Sequence, residues 1–437
     1  MTELLVLIED QLVGTIDADR QGGGRLTFRY ETSWLESAQR YPITLAMPLA
    51  DIEYRHRAVF SYLWNLLPEN PAVLQRWAQQ FHVSAANPAK LLAHVGEDVP
   101  GAAQFVSSER LDEIRREKRP DIYWMTADEV AARLRELSED TTAMRRPGDF
   151  GKMSLPGAQA KTAFCRDEAT GRWGVPAGRA PTTHIIKPCI PGYDGLVENE
   201  HLCQDIASRL GMTAARSSVL ALDQTYIVVE RYDRLPPRAG SPFFRRIHQE
   251  DVCQALGLMP GRKYQEDGGP GIADIVTLIR RVSSEPDEDV DRFLQANIYN
   301  WLIGGTDAHA KNYSFLIAAD NEVRLAPLYD VSSQLPYTEL ISQKLSMKVG
   351  EHYDIARIDM ADWRRLAQRC VIEEKRVINM ITEMARALPD HVADARKQAL
   401  VDGLSKAIVV PLSDQLITHA AERLAGLTAL RSARKRG

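Results

Sequence analysis

The sequence predicts an α+β protein with two lobes, a mixed β-sheet lobe followed by a mainly helical one, and a smaller α+β subdomain in front of them. Three observations lead there. The chain has 437 residues, more than one ordinary hydrophobic core accommodates. From Phe150 the pattern runs strand, loop, strand, helix, strand, and after about Pro242 it becomes helical. The expected boundaries are 1–147 for the leading subdomain and linker, 148–240 for the sheet lobe and 241–437 for the helical lobe.

The elements follow in order. Leu4–Ile8 and 13–16 read as strands, and Gly22-Gly23-Gly24 supplies a turn into Leu26–Tyr30, which alternates with period two. That triple glycine is not a phosphate loop, because neither a Lys-Ser/Thr pair nor a helix follows it. Helices are expected at 58–66 and Pro71–Phe81, the second with proline in its first turn. Residues 127–137 form an amphipathic pattern with Val130, Leu134 and Leu137 on one side. Arg145-Arg146-Pro147-Gly148 marks a linker. In the sheet lobe, 161–166, 183–187 and 226–230 read as strands and 197–210 as a helix. Helices at 249–256, Ile272–Val282 and 290–303 follow, then a hairpin of 313–317 and 323–328, then helices from Met360 onward.

Composition narrows the function classes. Hydrophobic content of 44%, charged content of 26% and a net charge of −5 describe a water-soluble chain whose overall field does not favour nucleic acid. The basic end, Arg431, Arg434, Lys435 and Arg436, reads as a solvated tail. Five scattered cysteines with no CxxC pair argue against a disulfide framework or zinc knuckle and suggest a reducing compartment. The first apolar run breaks at Glu9 and Asp10, and no stretch approaches the roughly 20 apolar residues that cross a bilayer. A cytoplasmic protein without membrane contact is expected.

Chemistry concentrates in a few segments. Gly304-Gly305-Thr306-Asp307-Ala308-His309-Ala310-Lys311-Asn312 follows an apolar helix, and one tight loop there carries an acid and an amide. Phosphoryl transfer needs both: a proton acceptor for the substrate hydroxyl and an oxygen for the metal. Asp330, at the end of the apolar run Leu325–Leu328, offers a carboxylate where a cation bridging phosphates would sit. Strand 183–187 ends in Lys187, and Glu200 on the next helix is a candidate partner for it. In Ser154-Leu155-Pro156-Gly157-Ala158-Gln159-Ala160-Lys161, Gly157 lets backbone N–H groups approach a phosphate. Glu230-Arg231-Tyr232-Asp233-Arg234 closes a buried strand where a hinge would present backbone groups to a base such as adenine.

Together with His248-Gln249-Glu250-Asp251, Asn65-Leu66-Leu67-Pro68-Glu69-Asn70 and Gly101-Ala102-Ala103-Gln104, these segments occur in the order seen in HipA-type serine/threonine kinase toxins. The chain resembles that family over nearly its whole length, and the family in turn resembles phosphatidylinositol-kinase-like catalytic domains. The resemblance implies a bilobal kinase-like fold that uses ATP and Mg²⁺. It implies Asp307 as the catalytic base, with Lys187 contacting the ATP phosphates and Asn312 and Asp330 as Mg²⁺ ligands. Nucleotide contacts are implied at Ser154, Leu155, Pro156, Gly157, Ala158, Gln159, Lys161, Glu230, Tyr232, Asp233, His309 and Lys311. Ser154 would be the autophosphorylated serine, and Leu155-Pro156 stiffens its loop. The implied partners are a HipB-like helix-turn-helix antitoxin, operator DNA reached mainly through it, and a protein substrate in translation such as an aminoacyl-tRNA synthetase. The rival readings are a small-molecule phosphotransferase and a catalytically inert kinase-fold repressor partner. Aromatic content of 7%, with no evident cage in the helical half, speaks against the first, and the retained Lys187, Asp307, Asn312 and Asp330 speak against the second.

Overall fold

The computed structural model describes residues 4–18, 25–146, 149, 151–337, 339 and 343–434. The expected Gly22–Gly24 turn, the Pro147-Gly148 pair, and Lys435 and Arg436 lie outside the described residues, as do the side chains of Arg431 and Arg434. The chain divides into two compact units. The first comprises Met1–Pro188, Leu220–Pro260 and Phe315–Val323, and the second Cys189–Val219, Gly261–Ser314 and Arg324–Gly437.

Two sheets organise the first unit. One orders its strands Glu53–Arg55, Leu26–Tyr30, Gln11–Ala18, Leu4–Ile8 and Gln104–Ser107, with every neighbour antiparallel. Leu4–Ile8 has partners on both sides and is buried at every residue, which explains its unbroken apolar run. The helices Pro71–Phe81 and Pro88–Val95 both begin after asparagine. Asn70 accepts from the Ala72 N–H at 2.9 Å and Asn87 from the Lys90 N–H at 3.1 Å, while each proline takes a first-turn position that needs no donor.

The second sheet runs Thr225–Glu230, His184–Pro188, Thr162–Arg166, Trp173–Ala177 and Asp121–Trp124, with Ser217–Ala221 beside the first of these. The helix Ala127–Glu139 starts at a reciprocal cap between Thr126 and Glu129. Its Val130 and Leu134 pack with Phe164, Val175, Ile186, Tyr226 and Val228 in one core. Trp173–Ala177 and Asp121–Trp124 were not foreseen. The former contains Gly174 and Pro176, both poor strand formers, and the latter is an incompletely buried edge in a charge-dense stretch.

The helix expected at 249–256 is instead a strand, His248–Asp251, followed by the single turn Val252–Ala255. Asp251 sets that start: its carboxylate accepts from the Gln254 N–H at 2.9 Å, and Gln254 Oε1 accepts from the Asp251 N–H at 3.0 Å.

The second unit is mainly helical, with Leu196–Arg209, Ile272–Val282, Pro286–Ile303, Met360–Arg369, Glu374–Val401 and Lys406–Arg434. The strand expected over 323–328 ends at Leu325. Pro327 has no N–H for a ladder, and Leu328 pairs elsewhere, donating to the Thr213 carbonyl and accepting from the Ala215 N–H, each at 2.8 Å. No helix among the described residues is long and apolar enough to cross a membrane.

Candidate active site

In the second unit, the buried helix Pro286–Ile303 ends at Gly304, whose φ of +67° turns the chain out of the helix. A Cβ at Gly304 would lie 2.7 Å from the Leu335 side chain, and one at Gly305 would lie 2.3 Å from Asn300 Oδ1. A side chain at either position would force that neighbour to move. The loop they release is then tied down. Ser346 Oγ donates to the Thr306 carbonyl at 2.8 Å, the His309 N–H to the Asp307 carbonyl at 2.8 Å, and the Asn312 N–H to the His309 carbonyl at 2.9 Å.

Asp307 is exposed, and the Tyr264 hydroxyl donates to its Oδ1 at 2.7 Å. Asn312 is buried, and its amide nitrogen donates to the carbonyls of Asp307 (3.1 Å) and Asp330 (3.5 Å). Two acids far apart in sequence therefore flank a single amide. Asp330 is exposed and sits at φ +57°, a left-handed conformation that costs a non-glycine residue about 1 kcal/mol or more. Its neighbours supply the restraint. The Tyr329 hydroxyl donates to the Lys311 carbonyl at 2.6 Å, and Asn199 exchanges two bonds with the Ser333 backbone, at 2.7 and 2.9 Å. Ser333 Oγ in turn donates to the Ile303 carbonyl at 2.6 Å.

His309 is buried with its ring edge-on to Tyr264, centroids 5.0 Å apart. Burial, reinforced by the charges of Lys263 and Lys311 and opposed by Asp330, pushes its imidazole down to about 3. It is neutral at pH 7, and its buried Nδ1 has no hydrogen-bond partner. Glu200 is also buried in this unit, where its Oε1 accepts from Gln204 Nε2 at 3.1 Å.

The remaining sequence-predicted residues belong to the first unit. Ser154 is buried. Its Oγ donates to the Leu66 carbonyl at 2.7 Å and its N–H to the Asp98 carbonyl at 3.0 Å. Leu155 is buried as well, while Pro156 is half-buried and Ala158 exposed. Gly157 has φ +105°, and a Cβ on it would lie 2.5 Å from the Lys161 ammonium, which donates to the Pro156 carbonyl at 2.8 Å. Gln159 Nε2 donates to the Pro188 carbonyl at 3.1 Å. Lys187, opposite Ile227 in the sheet, is buried, a setting in which a lysine persists only with anionic or hydrogen-bonding partners.

Glu230 is exposed at the end of its strand, and the half-buried Tyr232 donates its hydroxyl to Gln249 Oε1. Asp233 is different. Its carboxylate accepts from the Arg231 side chain at 2.9 and 3.0 Å, the Gly101 N–H at 2.7 Å and Gln249 Nε2 at 3.0 Å, and it pairs with Arg234 at 2.9 Å. Protein donors thus reach both of its carboxylate oxygens. Burial would raise its carboxyl, but Arg231 and Arg234 hold it far below the usual carboxylate range.

An Mg²⁺–nucleotide fits the donors present. The amide nitrogen of Asn312 is committed to carbonyls, so its oxygen is the donor it would offer a cation, and Asp330 has an exposed carboxylate. Two hard oxygens are the donor type that would hold Mg²⁺. The orphaned His309 Nδ1 is a further polar atom that a ligand can satisfy.

Sequence reasoning missed Tyr264 and Asn199. A usable signal for the first was Gly268-Gly269-Pro270-Gly271, a glycine density that marks close backbone packing. For the second it was an asparagine between Glu198 and Glu200 on a helix face that is buried throughout.

Comparison with known proteins bears on this geometry. Residues 4–106 match the HipA N-terminal domain family and residues 153–392 the HipA-like C-terminal domain family. A putative kinase, Y4mE, of Sinorhizobium fredii is 34% identical over 96% of both chains. The serine/threonine-protein kinase toxin HipA of Shewanella oneidensis is 28% identical over 88% of this chain and 87% of its own. A solved structure of the Shewanella oneidensis HipA with HipB and operator DNA superposes with a TM-score of 0.81 at 24% identity. It covers 98% of this chain and 99% of that one, which establishes the shared fold.

Proposed function

The chain belongs to the HipA family of kinases, and from that premise we propose that it is an ATP- and Mg²⁺-dependent serine/threonine protein kinase acting as the toxin of a toxin–antitoxin pair. The observation that carries the reading is the convergence of Asp307 and Asp330, through their backbone carbonyls, on the Asn312 amide. Asp307 takes the proton of the substrate serine or threonine hydroxyl as its oxygen becomes nucleophilic. Asn312 and Asp330 would hold Mg²⁺, which when bound neutralises charge on the phosphates. Lys187 contacts the phosphates of ATP, and the loop from Ser154 to Lys161 covers them. Glu230 and Tyr232 hold the adenine.

Autophosphorylation of Ser154 is part of the reading, and it requires the loop to leave its present place, since the hydroxyl is buried on the Leu66 carbonyl. A phosphate there would add about −1.5 to −2 charge beside the nucleotide and switch the enzyme off. A HipB-like helix-turn-helix antitoxin, with operator DNA bound mainly through it and co-repression of the operon, is proposed from the likeness to a HipA solved with both. The substrate is a cytoplasmic protein of the translation apparatus, an aminoacyl-tRNA synthetase being the candidate.

The test is a reaction of the purified chain with labelled ATP, Mg²⁺ and cell lysate, followed by phosphosite mapping. Label is expected on protein serine or threonine, and Asp307→Asn should lower turnover by about 10²–10⁴-fold. Equal rates for the two proteins, or label found only on a metabolite, would overturn the proposal.

A further inference from the structure

We infer that Tyr264 is a positioning residue for Asp307, carried on a glycine-built platform over residues 261–271; the inference rests on the reading of Asp307 as the catalytic base. The hydroxyl of Tyr264 donates to Asp307 Oδ1 at 2.7 Å across a sequence separation of 43 residues, so local chain geometry does not force the contact. The same segment grips the catalytic loop at two further points. The Lys263 carbonyl accepts from the Ala310 N–H at 3.1 Å, and the Tyr264 ring meets the edge of His309.

The platform has little freedom of its own. The Tyr264 carbonyl accepts from the Asp267 N–H at 3.1 Å and the Gly269 N–H at 2.9 Å. A Cβ at Gly269 would lie 2.1 Å from the Arg262 carbonyl oxygen and 2.7 Å from that of Tyr264, and Gly268 has φ +82°. A Cβ at Gly271 would meet Gln265 Nε2 at 2.4 Å, while Gln265 Oε1 accepts from the Lys348 N–H at 2.7 Å. Yet the turn Gln265–Asp267 buries no residue. Packing this close around a turn that buries none of its own residues is explained by what it fixes in place, and the side chain it presents to the catalytic loop is Tyr264.

An O–H donor on a carboxylate oxygen fixes the rotation of the carboxylate, and so aims the other oxygen at the hydroxyl whose proton it takes. Tyr264→Phe keeps the ring against His309 and removes only the donor. The expected result is a kcat about tenfold lower, with KM for ATP unchanged. Asp307→Asn is assayed in parallel. If Asp307→Asn retains wild-type turnover, the base reading fails and this inference with it. If Asp307→Asn is inactive while Tyr264→Phe keeps the wild-type kcat, the positioning role alone is overturned. A lower kcat accompanied by a raised KM for ATP overturns it too, because that is what a general loosening of the site would give.

Discussion

Asp98→Asn removes a single charge from the most buried ionic cluster of the first unit and changes little else in side-chain volume. Asp98 Oδ1 accepts from Arg234 at 2.7 Å, and its Oδ2 accepts from the Thr182 N–H at 2.8 Å and hydroxyl at 2.7 Å. Arg231 stands 3.4 Å away and Arg246 3.8 Å. At an effective dielectric of about 20, a unit charge at 2.7 Å contributes about 6 kcal/mol of attraction, against a desolvation cost of several kcal/mol for the buried ion. Intact, the cluster roughly balances. Broken, it leaves Arg231, Arg234 and Arg246 with one negative charge fewer among them, and the expected loss is about 3–5 kcal/mol.

Urea unfolding at pH 7 reads this directly, because urea adds no screening ions. Glu53→Gln is the control. It breaks the Arg29–Glu53 pair, which is as short, at 2.6 Å, but whose side chains are 63% and 35% exposed, and it should cost less than about 1 kcal/mol. The cluster also has a pH signature. Burial would raise the Asp98 carboxyl, but Arg231, Arg234, Arg246 and the Thr182 hydroxyl hold it below its ordinary value. Its contribution is present above the unfolded carboxylate range, about pH 4, and is lost as pH falls through the lower folded value. If Asp98→Asn costs no more than Glu53→Gln, burial is not what gives this cluster its weight and the reasoning is wrong.

Two other predictions concern buried groups in the same unit. Burial pushes the Glu250 carboxyl up to about 8; its Oε1 accepts from the Leu45 N–H at 2.7 Å, and Oε2 has no hydrogen-bond partner. An acid with a raised folded value gives stability that is complete below its unfolded value of 4.5 and is lost as pH rises toward about 8. Glu250→Gln should therefore gain a few kcal/mol over wild type at pH 8 relative to pH 5, and a pH-independent difference in urea melts would refute this. Ser154→Asp replaces the donor to the Leu66 carbonyl with a carboxylate that can only accept, an unsatisfied arrangement costing about 1–3 kcal/mol or more. The loop should be displaced and ATP affinity, followed by calorimetry, should fall at least about tenfold, whereas wild-type affinity would rule out a phosphoserine switch.

What the sequence made legible follows from how local each cause is. Leu26–Tyr30 alternates because one sheet face is buried, and Pro71–Phe81 announces itself through Asn70 and Pro71; both causes lie within the element. The start of the turn Val252–Ala255 depends on a two-way bond between Asp251 and Gln254, so the strand His248–Asp251 read as part of a helix. Asp121–Trp124 is a strand because Trp173–Ala177 offers it an edge, a cause outside the element altogether.

The same rule separates the chemistry from its support. Phosphoryl transfer restricts the groups that meet substrate and metal to a few polar types, so Asp307, Asn312 and Asp330 stood out in the sequence as candidates. The supporting contacts carry no such restriction. Asn199 holds Ser333 through backbone atoms, Tyr264 reaches Asp307 from a distant turn, and Asp233 owes its buried place to arginines and to the Gly101 N–H. Any residue with one donor at the right height could fill some of these positions, so residue type alone does not reveal them. Asp233 shows the limit of reading a polar hinge by type: its sequence position offers two carboxylate oxygens, and only the fold brings Arg231, Gln249, Arg234 and the Gly101 N–H onto them.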